Sequence, residues 1–265
     1  MATSTDWQLE RSVAERYDRI LVRTILGPFA RALVDRANLR RGESVLDVGC
    51  GTGAAALYAA TLVEDLGKVL AIDVNAGMLE VAKSRSRERG LAINWREDDA
   101  CHLPFSDESI DSILCAQTLQ FLKERSQALS EIHRVLKPGG RVAIRAWCPL
   151  PENPYFRTLI DSVSRHVGPK VAVGLGAAFS LADPDEICGL LSAAHFRAVS
   201  PAVVELELKL PELTGFVQAH ISATPMAAGF GAAAPEARTM VVDEVAGSFA
   251  DAQIPFRSHM VLAEA

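Results

Sequence analysis

Val45-Leu46-Asp47-Val48-Gly49-Cys50-Gly51-Thr52-Gly53 runs a β-branched stretch into glycines on strict alternation, and apolar residues at helical spacing follow over 54–63. Strand, tight glycine turn and helix in that order open a βαβ unit on a parallel sheet. Glycine at such a turn permits positive φ and close approach of a ligand to the backbone. Open α/β sheets bind ligands in the crevice at the carboxyl ends of their strands, so the turn stands where a nucleotide would sit.

Outward from this turn the alternation continues. Strands are predicted at about Ser44–Val48, Lys68–Asp73, Ala92–Arg96, Ile110–Cys115 and Gly140–Trp147, with helices over Ala54–Val63, Ala76–Arg89 and Ser126–Leu136. Lys137-Pro138-Gly139-Gly140 closes the last of these helices, as Pro and Gly just past a helix end do. Upstream, Val13–Leu39 reads as one or two amphipathic helices broken near Gly27-Pro28. Downstream of Trp147, Pro149, Pro151, Pro154 and Gly168-Pro169 punctuate a stretch that reads as short helices and not another βαβ unit. A strand at Val199–Leu210, helices near Pro211–Ser222 and Pro235–Phe249, and a final strand near Phe256–Ala263 complete the chain, with the small-residue segment Thr224–Ala234 expected as a loop or lid.

Composition bounds the function. The 265 residues suffice for one large domain with an elaboration. Asp and Glu total 33 against 27 Lys and Arg, with no long basic run, which disfavours nucleic acid as a partner. No apolar run reaches the roughly 20 residues that span a bilayer. The opening Met-Ala-Thr-Ser-Thr-Asp lacks the pattern of a secretory signal, so a cytoplasmic location is expected. The five cysteines, Cys50, Cys101, Cys115, Cys148 and Cys188, are scattered and fit reduced thiols better than disulfides or zinc ligands. No metal is predicted.

Two ligands suit a glycine turn of this kind. Gly49, Gly51 and Ala54 satisfy the loose dinucleotide fingerprint, which keeps an NAD(P)-dependent oxidoreductase open. Asp47, just before the turn, argues otherwise: a pyrophosphate needs helix N–H donors and gains nothing from a carboxylate there, whereas a cationic ligand does. S-adenosylmethionine carries an ammonium and a sulfonium in place of phosphates. A carboxylate that merely fixes the loop is the other use of Asp47. Asp73 ends the second strand about two dozen residues beyond the loop, close to the roughly 20-residue offset of a ribose-binding acid, and beside the glycine loop that use is favoured over capping the helix that begins at Ala76.

Taken together, Val45–Gly53, Ile72-Asp73, Asp98-Asp99-Ala100, Leu103-Pro104-Phe105, Ile110–Ile113 and Leu136–Gly140 resemble the class I S-adenosylmethionine-dependent methyltransferases, in the style of the ubiquinone/menaquinone C-methyltransferases. The resemblance implies an α/β, Rossmann-like, doubly wound and mostly parallel sheet of about seven strands, the last antiparallel, with N-terminal helices and a helical insertion. It places Gly49, Gly51 and Gly53 around the methionine part of the cofactor with Asp47 nearby, Asp73 at the ribose, Val74 among the cofactor-binding residues, Met78 against the adenine, and Asp99 with Ala100 on its edge, Asp98 being the rival of Asp99. Gln117 would face the methyl end, and Tyr17 would close over it. The division implied is a helical cap over 1–40, a cofactor-binding core over 41–148, and an acceptor-binding elaboration over 149–265 that includes the final strands.

The expected reaction is in-line methyl transfer to O, N or C of a small-molecule acceptor, a step driven by alignment and desolvation in which a protein base is optional. Of six histidines, His220 is the candidate base, because it lies on a late helix just before the small-residue segment. Arg145 and Trp147, at the end of the fifth strand, are candidate walls of the acceptor cavity. A protein that binds the cofactor for other chemistry or as a scaffold remains a rival. Both monomer and homodimer are compatible with the sequence.

Overall fold

The computed structural model describes residues 10–249 and 253–265, so the N-terminal residues 1–6 read for a signal lie outside the described residues. A continuous helical rod comes first: α1 (Arg11–Tyr17), a π-helical segment Asp18–Leu26, and α2 (Gly27–Ala37). The expected break at Gly27-Pro28 does not occur. Gly27 stays helical at φ −63°, and its N–H bonds five residues back to Val22, a π-type register that accommodates the N–H missing from Pro28. A Cβ on Gly27 would stand 2.5 Å from Val22 O, so the tight rod needs glycine there.

The core then alternates β1 (Ser44–Val48), α3 (Ala54–Val63), β2 (Lys68–Asp73), α4 (Ala76–Glu88), β3 (Asn94–Glu97), β4 (Ile110–Ala116), α5 (Arg125–Val135) and β5 (Leu136–Trp147). Four helices follow without a strand or only a strand between them: α6 (Pro154–His166), α7 (Pro169–Gly176) and α8 (Pro184–Ala193), then β6 (Arg197–Lys209) and α9 (Leu213–Ser222). The short α10 (Ala227–Gly231), α11 (Pro235–Ser248) and β7 (Gln253–Glu264) end the chain. The third strand starts two residues later than expected, and the fifth extends back to Leu136, taking Lys137–Gly140 into the strand edge.

Seven strands form one sheet among the described residues, ordered β3-β2-β1-β4-β5-β7-β6. The first five are mutually parallel, and β7 runs antiparallel to both β5 and β6. This is the doubly wound sheet with one reversed strand. Its order reverses between β1 and β4, which sets the ligand crevice at their carboxyl ends, at Gly49 and Gln117.

Both faces are covered. Val45, Ala71, Leu114 and Ala143 on one face pack with Phe29, Leu33, Leu159 and Val217, while Leu46, Ile72, Ile113 and Ile144 on the other pack with Leu129, Ile132, Ile187 and Leu191. Alternate residues of a strand face opposite sides, and buried parallel strands read as near-continuous apolar runs for that reason. The segment 224–234, expected as a loop or lid, carries the short α10 and is anchored on one side: Thr224, Met226 and Phe230 are buried, and a Cβ on Gly229 would meet Val171 at 2.6 Å. Its small residues let α10 approach α7 closely. No described helix is long and apolar enough to cross a membrane.

Candidate active site

The glycine turn forms the floor of the crevice. Gly49, Gly51 and Gly53 all take positive φ, at 67°, 54° and 84°. At Gly49 glycine is obligatory for a second reason, since a Cβ would lie 2.2 Å from Thr118 Cγ2. Thr118 Oγ1 in turn lies 3.2 Å from the carbonyl oxygens of Val48 and Gly49 and staples the turn to the end of β4.

Two carboxylates occupy the amides of this turn. Asp73 Oδ2 accepts from Gly51 N at 2.8 Å and Oδ1 from Asn75 N at 2.9 Å, while Asp47 Oδ2 accepts from Ala56 N at 2.9 Å. Asp47 Oδ1 is buried with no hydrogen-bond partner among the described residues. Burial pushes the Asp47 carboxyl up to about 7, opposed by the Ala56 amide and reinforced by the charge of Asp73. Burial also raises Asp73, against the pull of the amides it accepts from. A donor-poor, acid-lined turn of this kind accommodates a cation and a polyol. It is less suited to a pyrophosphate, because carboxylates already hold the Gly51 amide of the turn and the Ala56 amide in the first turn of α3, and their charge opposes a phosphate there.

Around this floor one cleft brings together Tyr17, Asp47, Gly49, Gly51, Asp73, Val74, Met78, Asp99, Ala100 and Gln117, with Asp98 beside Asp99. Of the expected cofactor residues only Gly53 lies outside the lining. It serves instead as the N-terminal cap of α3, and a Cβ there would meet the Trp95 ring at 2.5 Å. Val22, Leu26, Ala30, Asn75, Thr118, Phe121 and Leu122 also line the cleft and were not foreseen. Asn75 had a readable signal: its side chain accepts from Met78 N and caps α4, the use expected of Asn before a helix.

Tyr17 reaches the cleft because the rod is anchored there. Asp18 Oδ1 receives Thr52 Oγ1 at 2.6 Å and Arg85 Nη1 at 2.5 Å, and Arg85 also bonds the Thr52 carbonyl at 3.1 Å. One acid thus ties the N-terminal rod to the glycine turn and to α4, with the neighbouring Tyr17 turned over the crevice. Gln117, at φ 57°, hangs from the Arg145 carbonyl through its own N–H at 2.9 Å, and its side chain pairs with Gln120.

A second cavity opens beside the first and shares Tyr17, Leu26, Gln117 and Phe121 with it. Its walls are Leu21, Ile25, Trp147, Phe156, Leu175, Ala178, His220 and Thr224, drawn from both ends of the chain. His220 is fully buried and stacks on Tyr155 with ring centroids 5.5 Å apart; its Nδ1 lies 2.9 Å from the Tyr155 hydroxyl and its Nε2 has no partner. Burial lowers its pKa to about 3, so at neutral pH the imidazole is uncharged. Arg145 lines the first cavity, held between the rings of Phe29 and Trp147, the latter a wall of the second.

A methyltransferase domain model matches residues 46–144. The UbiE ubiquinone/menaquinone biosynthesis C-methyltransferase of Pectobacterium atrosepticum is 31% identical over 205 residues, 71% of this chain and 81% of that protein. The UbiE protein of Haemophilus ducreyi is 35% identical over 138 residues, 50% of this chain, and the match spans only about half of that relative, 53%. Among solved structures, an S-adenosylmethionine-dependent methyltransferase from Aquifex aeolicus superposes with a TM-score of 0.56 at 26% identity, covering 75% of this chain and 93% of its own.

Proposed function

The chain belongs to the class I S-adenosylmethionine-dependent methyltransferases, in their UbiE-like branch, and from that premise we propose that it transfers a methyl group to O, N or C of a small organic acceptor seated in the second cavity. When bound, the cofactor supplies an electrophilic methyl group on a positively charged sulfur. The observation that carries the reading is the state of the glycine turn: its amides at Gly51 and Ala56 are taken by Asp73 and Asp47, and Asp47 keeps one unpaired oxygen. That fits an ammonium-bearing nucleoside, and the same amides weigh against the oxidoreductase alternative.

In this reading Asp73 takes the ribose hydroxyls, Val74 and Met78 flank the adenine, and Asp99 with Ala100 meets its edge. Asp47, Gly49, Gly51 and Gln117 surround the methionine end. Tyr17, Leu26 and Phe121, common to both cavities, exclude water from the line between donor and acceptor and hold the two in register, which is where such a displacement gains its rate. Residues 149–265 supply Phe156, Leu175, Ala178, His220 and Thr224, so the C-terminal elaboration sets acceptor shape. His220 acts here as a neutral hydrogen-bonding group, since a base with a pKa near 3 takes a proton poorly at pH 7.

Calorimetric titration with S-adenosylhomocysteine, with NAD as the control, tests the cofactor, and release of S-adenosylhomocysteine in an acceptor screen tests the transfer. Saturable binding of the first and none of NAD is expected. Binding of NAD alone would return the protein to the oxidoreductases, and tight cofactor binding without turnover on any acceptor would favour a non-methylating or scaffold role.

A further inference from the structure

Arg145 is a cation in a place that has no use for one unless a ligand brings the counter-charge. Its side chain is 2% exposed, and its guanidinium carbon lies 4.4 Å from the Phe29 ring centroid and 4.2 Å from that of Trp147. Two aromatic faces stabilise a desolvated guanidinium only in part. No described acid pairs with it, and its Nε and Nη2 are buried without hydrogen-bond partners among the described residues. Leaving such a charge unmet is strongly unfavourable.

The identity of the orphaned atoms is informative. Nε–H and the adjacent Nη2–H lie along one edge of the planar guanidinium, the edge that matches the two oxygens of a carboxylate in a bidentate pair. Burial brings the Arg145 pKa down to about 9, which leaves it protonated at neutral pH. His220 adds a third donor. A neutral imidazole and a buried phenol are both satisfied when the Tyr155 hydroxyl donates to Nδ1, and that tautomer puts the ring proton on the unpartnered Nε2. Between these polar groups stand the rings of Trp147, Phe156 and Phe121, which suit a flat apolar body.

We propose that the acceptor is a flat, apolar carboxylic acid whose carboxylate is gripped by the Nε/Nη2 edge of Arg145, with His220 Nε2–H donating to a second acceptor atom. The proposal rests on the methyl-transfer reading. It makes Arg145, which lines the first cavity alongside the Gln117 and Phe121 that both cavities share, a specificity-determining residue for the acceptor, and it disfavours cationic acceptors. The cofactor's methionine end also carries a carboxylate, so the test must separate the two sources.

The full chain, saturated with S-adenosylhomocysteine, is titrated with benzoate, 1-naphthoate and indole-3-carboxylate and with the matching neutral amides. At least one acid is expected to bind about tenfold or more tighter than its amide, a preference that Arg145→Met abolishes and Arg145→Lys, which keeps the charge and loses the fork, reduces. S-adenosylhomocysteine affinity should stay within about threefold in Arg145→Met. Acids and amides binding alike, or no acid binding at all, overturns the proposal. So does loss of S-adenosylhomocysteine affinity in Arg145→Met with 5′-methylthioadenosine affinity unchanged, which assigns the fork to the cofactor's carboxylate. Should Arg145→Met not fold, Arg145→Lys carries the same comparison. A native chain that binds no S-adenosylhomocysteine overturns the methyl-transfer reading instead.

Discussion

The two halves of the cleft are built by opposite means. The first cavity, proposed for the cofactor, is floored by residues at the carboxyl ends of three adjacent parallel strands: Asp47 in β1 with Gly49 just past it, Asp73 at the end of β2 and Gln117 after β4. The second cavity, proposed for the acceptor, is walled by residues of separate elements, Leu21 and Ile25 on the N-terminal rod, Trp147 on β5, Phe156 on α6, Leu175 on α7 and His220 on α9. Backbone geometry at strand ends is fixed by the sheet and changes little with side-chain identity. A wall of side chains contributed by separate elements can be remodelled one residue at a time. One fold can therefore keep a cofactor while its acceptor changes.

The sharpest way to break that contrast is at Asp73. Replacement by alanine removes a carboxylate that holds Gly51 N and Asn75 N, so it damages the turn as well as the predicted ribose contact. Charged hydrogen bonds of this sort contribute about 1.5–3 kcal/mol each, and S-adenosylhomocysteine affinity should fall about 100-fold by calorimetry. Asp73→Asn keeps an oxygen to accept from an amide and should lose less. An Asp73→Ala variant that binds within a few-fold of the native chain would mean that the acid serves only the loop.

The same contrast explains what the sequence discloses. The cofactor half is legible because its signals are contiguous: an acid, three alternating glycines and a second acid at the next strand end lie within residues 47–73. Gly53 stands outside the cleft lining, and nothing in the local pattern reports that the Trp95 ring fills the space beside it. The continuous rod was also hidden, since Gly27-Pro28 reads as a break unless the π-type bond from Gly27 to Val22 is known. Arg145 and Trp147 could be suspected from their place at a strand end. Phe156, Leu175 and His220 converge on them only through the packing of α6, α7 and α9, over separations to which no periodicity speaks. Asp18, which holds Tyr17 over the cleft through Thr52 and Arg85, pairs across 67 residues and leaves no local trace.

A smaller effect, confined to the acceptor half, follows from the buried Tyr155–His220 pair. Tyr155→Phe leaves His220 Nδ1 buried without its 2.9 Å partner while preserving the ring contacts with Phe156, Phe216 and Phe256. An unsatisfied buried acceptor costs about 1–3 kcal/mol, so thermal unfolding should move down by several °C, while S-adenosylhomocysteine affinity stays within about threefold. The tautomer is then no longer fixed, and binding of acceptor-like acids in the second cavity should weaken alongside. A matching loss of cofactor affinity would show that the two halves are energetically one site and would undo the contrast.

The smallest predicted effect separates the halves by pH alone. Asp47, pushed up to about 7 by burial, binds its proton more tightly in the folded chain than in the unfolded one, where a carboxyl titrates near 4. Its contribution to stability is therefore full below about pH 4 and fades as the pH rises to about 7. A ligand bearing an ammonium reverses the preference, because it favours the ionised carboxylate. S-adenosylhomocysteine should accordingly bind about tenfold tighter at pH 8 than at pH 6, level off above 7, and release a proton on binding near pH 6, detectable as a heat that changes with the ionisation enthalpy of the buffer. Asp47→Asn should flatten that profile. The acceptor half has no such response in the same window, since His220 titrates near 3 and Arg145 near 9. Binding of a carboxylate probe to the cofactor-saturated chain should thus be flat between pH 6 and 8, and a slope there that survives Asp47→Asn would point to a titrating group in the acceptor half.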